Sequence, residues 1–248
     1  MSRNAQRYSG RRSNKTEHSD VREIKPKFKE ERSSVTPLSP MTHKQAKYME
    51  LIETKNCVIA TGLAGSSKTY IPTVMACDML RKGEIEHIVL VRPAISNSAS
   101  LGYFGGSVVE KMSLWLLPIL QTLHKRLGKG VVDENIKDGC IQCVPLETIK
   151  GTSFSKDTFV LVDEAEDLDI AEIKSILTRQ GGGKMVLCGD IEQSALTERS
   201  GLLFAKRYTE KYPHLLNSIG FVDFNEYSDI VRSQECKDWV RVFHKEGM

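Results

Sequence analysis

Apolar positions along the chain follow two patterns: short uninterrupted runs, and longer stretches with apolar residues three or four apart. The runs lie at 57–61, 87–91, 141–146, 159–162, 185–188 and 221–224, and glycine, proline or charged residues bound them. Runs of this length and bounding read as strands buried on both faces. Helical spacing covers 42–54, 68–82, 108–127, 169–180, 201–212 and the chain from 228 onward. Thr42 is placed to cap the first of these. Gly83 and Gly128 stop the second and third, three glycines follow the fourth, and Pro118 is expected to bend or split the third. The segment at 94–106 is rich in Ser and Gly and reads as a loop. Strands alternating with helices predict one α/β domain of three layers, with a mainly parallel sheet covered on both faces.

Composition adds a tail to this picture. The chain has 248 residues, 40% of them hydrophobic, and a net charge of +3. Residues 1–36 hold ten Lys or Arg against five Asp or Glu, a balance of +5, which leaves −2 for 37–248. The few large apolar residues of that tail (Tyr8, Val21, Ile24, Phe28) have no period, so a disordered basic arm is expected. Such an arm suits a solvated tail or attraction to nucleic acid phosphates. With no long apolar run and no apolar leader, the expectation is a cytoplasmic protein with no membrane partner. The six cysteines are too sparse for a disulfide framework. Cys140 and Cys143 have the spacing of half a metal or redox motif, but they lead into a strand that turns the two thiols to opposite faces. They are expected to be structural.

Between a predicted strand and a predicted helix lies Gly62-Leu63-Ala64-Gly65-Ser66-Ser67-Lys68-Thr69. This is the context of a phosphate-binding loop. Glycine lets the backbone curl with its N–H groups inward, and the helix start adds positive potential. Lys68 is expected to neutralise the outer phosphates of ATP, Thr69 to ligate Mg²⁺ through its hydroxyl, and Tyr70 to open the helix beside the nucleotide. Ser67 stands where the pattern has glycine, and a left-handed backbone there would cost serine about 1 kcal/mol.

The strand at 159–162 delivers Asp163 and Glu164 at its C-terminal end, the edge where α/β sheets bind ligands. Asp163 is expected to hold Mg²⁺ through water and Glu164 to polarise the attacking water. Glu164 thereby favours hydrolysis over transfer to a second substrate. Gly189-Asp190-x-x-Gln193 follows the next strand and aims Gln193 at the same edge. A triphosphate transition state also needs positive charge, for which Arg92, Arg179 and Arg232 are candidates.

Taken together these residues resemble the PhoH family, single-domain RecA-fold ATPases related to superfamily 1 helicases. The resemblance runs from about Met41 to Val240. Gln45-x-x-Tyr48 looks like the family's adenine-reading Q motif. Similar too are Val91-Arg92-Pro93-Ala94, Leu101 to Gly105, Lys150-Gly151-Thr152, Leu177-Thr178-Arg179, Ser200-Gly201-Leu202 and Asp229-Ile230-Val231-Arg232. Asp163-Glu164-Ala165-Glu166-Asp167 resembles the family's Asp-Glu-Ala-Gln-Asn, with Glu166 and Asp167 as departures. Lys150 and Thr152 stand where arginines are usual. The resemblance implies a RecA-like P-loop fold, ATP and Mg²⁺ as cofactors, and helicase-like action on RNA or single-stranded nucleic acid. It further implies a homo-oligomer, a hexameric ring among the options, with Arg232 or Arg179 as the finger. A slow, nucleotide-controlled binding module without unwinding is the alternative. Compactness and variant motifs suit a bacteriophage-encoded member, acting in the host cytoplasm. In the segment after Ala94, Ser96, Asn97 and Ser98 could meet phosphates, and Tyr103 and Phe104 could stack on bases.

Overall fold

The structure, a computed structural model, describes residues 35–93, 116–149 and 154–246, together with Pro26. Most of the expected arm, the loop at 94–106 with its proposed nucleic acid contacts, the start of the 108–127 helix with Trp115, and Lys150 and Thr152 lie outside the described residues.

Each buried run becomes a strand: β1 Cys57–Gly62, β2 His87–Arg92, β3 Ile141–Pro145, β4 Thr158–Val162, β5 Lys184–Gly189 and β6 Ile219–Phe224. They form one sheet in the order β3-β2-β4-β5-β1-β6, and every pairing is parallel. The alternation along each strand sorts the core into two layers. Val58, Ala60, Ile88, Leu90, Phe159, Leu161 and Val186 face one apolar cluster, and Cys57, Ile59, Val89, Val91, Val160, Val162 and Leu187 face the other.

The first layer is covered by α1 (His43–Thr54), α2 (Tyr70–Lys82) and α3 (Leu117–Leu127), with Tyr48, Ile52, Leu80 and Leu123 buried against the sheet. Val132 of α4 (Lys129–Lys137) joins them. The second layer is covered by α5 (Leu146–Ile149), α6 (Ile170–Leu177) and α7 (Gly201–Lys211), through Leu146, Ile173, Ile176 and Leu202. Helix ends follow local chemistry. The Thr42 hydroxyl accepts from the Gln45 amide at 3.1 Å, and Gly83 closes α2 at φ 73°. Asp169 and Glu172 form a reciprocal capping box at the start of α6.

Pro118 sits in the first turn of α3, where its missing N–H costs nothing; the part of the expected helix before Leu116 lies outside the described residues. Three expectations need correction. The helix expected over 169–180 ends at Leu177, because the chain must turn into glycines that pack closely on the 154–155 backbone. A Cβ on Gly181 would lie 2.3 Å from the Phe154 carbonyl oxygen. The last helix, α8 (Gln234–Glu246), starts later than 228. The chain before it makes a short 3₁₀ turn at Tyr227–Asp229 and then runs to the phosphate loop, where the Val231 amide donates to the Gly65 carbonyl at 3.1 Å. Finally, α4 and α5 have no counterpart in the predicted elements.

Cys140 is buried and Cys143 half-buried, the latter against the first apolar cluster. No group of three or more His, Cys, Asp or Glu with metal-holding geometry occurs among the described residues. Nor is any described helix long and apolar enough to cross a membrane.

Candidate nucleotide site

The phosphate loop leaves β1 at Gly62, whose φ is +118°. A Cβ there would lie 2.3 Å from the Phe224 carbonyl oxygen, which instead accepts from the Leu63 amide at 2.9 Å. Gly65, at φ +85°, lies against the side chains of Arg232 and Ile230. Ser66 is fully buried, and its hydroxyl donates to the Leu63 carbonyl at 2.9 Å. Ser67 does adopt a left-handed backbone, φ +71°. Glycine would relieve most of that cost but gains freedom in the unfolded chain. Ser67→Gly is therefore expected to stabilise the protein by about 0.5–1 kcal/mol. The midpoint of urea unfolding checks this; an unchanged or lower midpoint would show that the serine side chain compensates.

Two residues of α1 hold the loop from behind. The Gln45 side-chain amide donates to the Ser66 carbonyl at 3.2 Å and its oxygen accepts from the Met41 amide at 2.8 Å. The Tyr48 hydroxyl donates to the Lys68 carbonyl at 3.0 Å. Gln45 is buried and does not line the cavity in front of the loop. What the structure gives it is a grip on the loop backbone.

That cavity measures about 550 Å³, within the range of small-molecule sites. Ala64 through Tyr70 line one side, and Arg92, Asp163, Glu164, Asp190 and Gln193 the other. Pro118, Ile119 and Thr122 of α3 and Arg232 complete it. Sheet order explains the convergence. β5 lies between β1 and β4, so the loop, the two carboxylates and Gln193 emerge from three adjacent strands at the edge where their C-terminal ends meet.

Lys68 folds over the loop, donating to the Gly62 carbonyl and, at 2.8 Å, to that of Leu63. Burial lowers its pKa, and Asp190, Cys188, Glu166 and Glu164 counter that pull. The Thr69 hydroxyl donates to Asp163 Oδ1 at 2.7 Å. These are the two groups expected to hold Mg²⁺, and the fold brings together, across 94 residues of chain, a hydroxyl and a carboxylate, the hard oxygen donors that ion takes. The Cys188 thiol also reaches Asp163 Oδ1, at 3.6 Å. Burial pushes Asp163 above its usual range, with the Thr69 hydroxyl opposing.

Glu164 has a left-handed backbone, φ +51°, and its Oε1 accepts from Arg92 at 2.8 Å. Arg92 also lies 3.8 Å from Asp163. Gln193 donates to Asp190 Oδ2 at 2.8 Å, which holds its side chain at the cavity wall. Arg232 lines the cavity of its own chain, whereas Arg179 does not. Arg179 follows α6, its Nε is buried without a hydrogen-bond partner among the described residues, and its carbonyl accepts from the Phe154 amide. Asp190, Glu166 and Cys188 belong to the site as well, with no role assigned to them from sequence. Asp190 has the signal of following a glycine at a strand end, Glu166 that of falling within the Asp163–Asp167 stretch, and Cys188 has none.

The strand order and the position of these groups define a RecA-like P-loop nucleoside triphosphatase fold. The model of the PhoH-like protein family matches residues 37–244, and the chain belongs to that family. It is 31% identical over 206 residues to a PhoH-like protein of Bacillus subtilis, covering 82% of this chain and 63% of that one. Protein PhoH of Escherichia coli K12 is 30% identical over 208 residues, covering 82% of this chain and 57% of the relative. The chain thus spans less than two thirds of these relatives' length. Among solved structures, the UvsW helicase of bacteriophage T4 overlaps 76% of this chain and 61% of its own, at 13% identity and a TM-score of 0.44. The Pif1 helicase of Candida albicans overlaps 77% and 41%, at 13% and 0.34. Overlaps this partial carry no argument about activity.

Proposed function

We propose that this chain binds ATP with Mg²⁺, hydrolyses it, and acts on RNA or another single-stranded nucleic acid as a helicase-like enzyme. The observation that carries the hydrolytic part is the direct contact of Thr69 with Asp163 beside Glu164. It sets a metal-holding pair under the phosphate loop with a carboxylate next to the position of an attacking water. Thr69 and Asp163 would hold the divalent ion, which supplies charge neutralisation when bound. Lys68 leaves the carbonyls of its own loop for the outer phosphates, and Glu164 takes the proton of the water. Gln193, fixed by Asp190, orients that water or the terminal phosphate.

The nucleic acid part rests on the basic balance of residues 1–36 and on family membership. A homo-oligomer, such as a ring, rests on family membership alone. Arg232, which lines the cavity of its own chain, and Arg179, which does not, are the two candidates for the finger. One observation favours the slower binding module: the ion pair with Arg92 at Glu164 Oε1 weakens that carboxylate as an acceptor for the proton of water until the pair opens.

Phosphate release from Mg-ATP, with and without single-stranded RNA, tests both readings, with unwinding of a tailed duplex measured in the same samples. Release that rises with RNA is the expected result. ATP binding with no release under either condition would leave the binding module, and release indifferent to RNA and to single-stranded DNA would remove the nucleic acid role.

A further inference from the structure

Behind the cavity wall is a buried acid that the hydrolytic scheme above does not use. Glu166 lies in the 3₁₀ turn Ala165–Asp167 that follows β4, and it is 4% exposed. It would ordinarily be read as one more surface charge in an acidic turn. Instead its side chain passes beneath β5. Glu166 Oε2 accepts from the Asp190 amide at 3.1 Å. Its backbone carbonyl accepts from the Ser194 hydroxyl at 2.8 Å, so both ends of the Asp190–Ser194 turn are bound to this one residue. Gly189 is kept free of a side chain at this point, since a Cβ there would lie 2.0 Å from Glu166 Oε2.

The carboxyl also faces Glu164, two residues before it in the chain. Burial first, and then the Glu164 side chain, push Glu166 well above the usual carboxylate range. The charged and titratable groups around it are Glu164 from the end of β4, Lys68 from the phosphate loop, Cys188 on β5 and Asp190 beyond it. Lys68 is the one cation of the set, and its Nζ is committed to the loop carbonyls. Glu166 thus accepts from the Asp190 amide through Oε2 and turns the rest of its carboxyl toward Glu164. The line continues from Asp190 Oδ2 to the Gln193 amide.

We propose that Glu166 is a positioning residue for hydrolysis: its buried carboxyl and its backbone carbonyl tie the turn after β4, which carries Glu164, to the Asp190–Ser194 turn, so that the base and Gln193 keep a fixed separation across the water site. The proposal rests on the hydrolytic reading of Glu164. Its prediction is specific to the bond pattern. Glutamine at 166 keeps the shape, one N–H for Glu164 and one oxygen for the Asp190 amide. Leucine fills similar space and offers neither.

The test compares Glu166→Gln and Glu166→Leu for ATP turnover, for affinity toward a non-hydrolysable ATP analogue, and for hydrogen exchange at the Asp190 amide in the free protein. Glu166→Leu is expected to lower kcat by about tenfold or more, as for a misplaced catalytic group, with analogue affinity within about threefold of the parent. Glu166→Gln is expected to restore most of the rate. Exchange at Asp190 should be slow in the parent and Glu166→Gln, and fast in Glu166→Leu. A Glu166→Leu chain as fast as the parent, or a Glu166→Gln chain as slow as Glu166→Leu, overturns the proposal. Should the parent show no turnover, the hydrolytic reading fails by itself, and the tie stands or falls on the exchange result, equal protection in Glu166→Leu overturning it. If Glu166→Leu does not fold, Glu166→Ala takes its place in each comparison.

Discussion

Glu164→Gln is expected to lower ATP hydrolysis about 10²- to 10⁴-fold and to leave nucleotide binding intact. The reason lies in what the substitution keeps. Glutamine has the shape of glutamate and carries the same cost at φ +51°, so the backbone after β4 is no more strained than before. The phosphate loop, Lys68 and the Thr69–Asp163 contact at 2.7 Å are not touched. What disappears is the negative charge that accepts the proton of the attacking water. Arg92 loses the ionic partner it holds at 2.8 Å but keeps Asp163 at 3.8 Å, and one negative charge fewer at the cavity should hold or tighten binding of the ATP anion. Single-turnover phosphate release, set beside the affinity for a fluorescent ATP analogue, separates the two effects. A fall in rate below about tenfold would move the role of base to another carboxylate at the cavity, such as Asp163 or Asp190 acting through water.

The second large effect is on stability. Gly62→Ala is expected to cost at least about 3 kcal/mol and to abolish nucleotide binding. Gly62 pairs with Phe224 in the sheet, and an added Cβ would lie 2.3 Å from the Phe224 carbonyl oxygen and 2.4 Å from its carbonyl carbon. Backbone cannot rotate away as a side chain can, so β6 and the loop entry must separate, breaking the Leu63–Phe224 hydrogen bond. Gly83→Ala is the control. Its φ is +73°, but nothing lies within 4 Å of the added carbon, so only the left-handed backbone is charged, about 1 kcal/mol. Urea unfolding of the two variants gives the comparison. Equal losses would mean that the loop entry accommodates the methyl group.

The six strands could be read from sequence because a parallel sheet covered on both faces buries every residue of its strands, leaving short unbroken apolar runs. The loop at 62–69 and the pair Asp163–Glu164 were legible for a related reason: chemistry of this kind collects where such runs end. What the sequence could not carry was direction across strands. Glu166 is one residue from an exposed-looking Asp167, and only the course of the 3₁₀ turn beneath β5 shows that it is buried. Arg179 and Arg232 looked equivalent as cationic candidates, yet sheet order puts one at the cavity and leaves the other off it. Gln45 had the right spacing for a nucleotide contact, and the fold spends its amide on the Ser66 carbonyl. Helix α4 was hidden by Gly128 and Gly130, which read as a stop, although its apolar positions are few and it is held mainly by packing of Val132. The dihedral of Ser67 belongs to the closed loop as a whole and has no signature in a single residue type.

The bond from Val231 to the Gly65 carbonyl has a mechanical consequence. It fastens the chain to the crown of the phosphate loop three residues before α8 begins. No residue of α8 is buried, and surface contacts hold its far end: the Tyr227 hydroxyl meets His244 Nδ1 at 2.6 Å, and His244 Nε2 lies 3.7 Å from Glu192. The helix is therefore pinned twice, at the phosphate loop before its first turn and beside the Ile191–Gln193 turn near its last, so both anchors belong to the segments that flank the cavity.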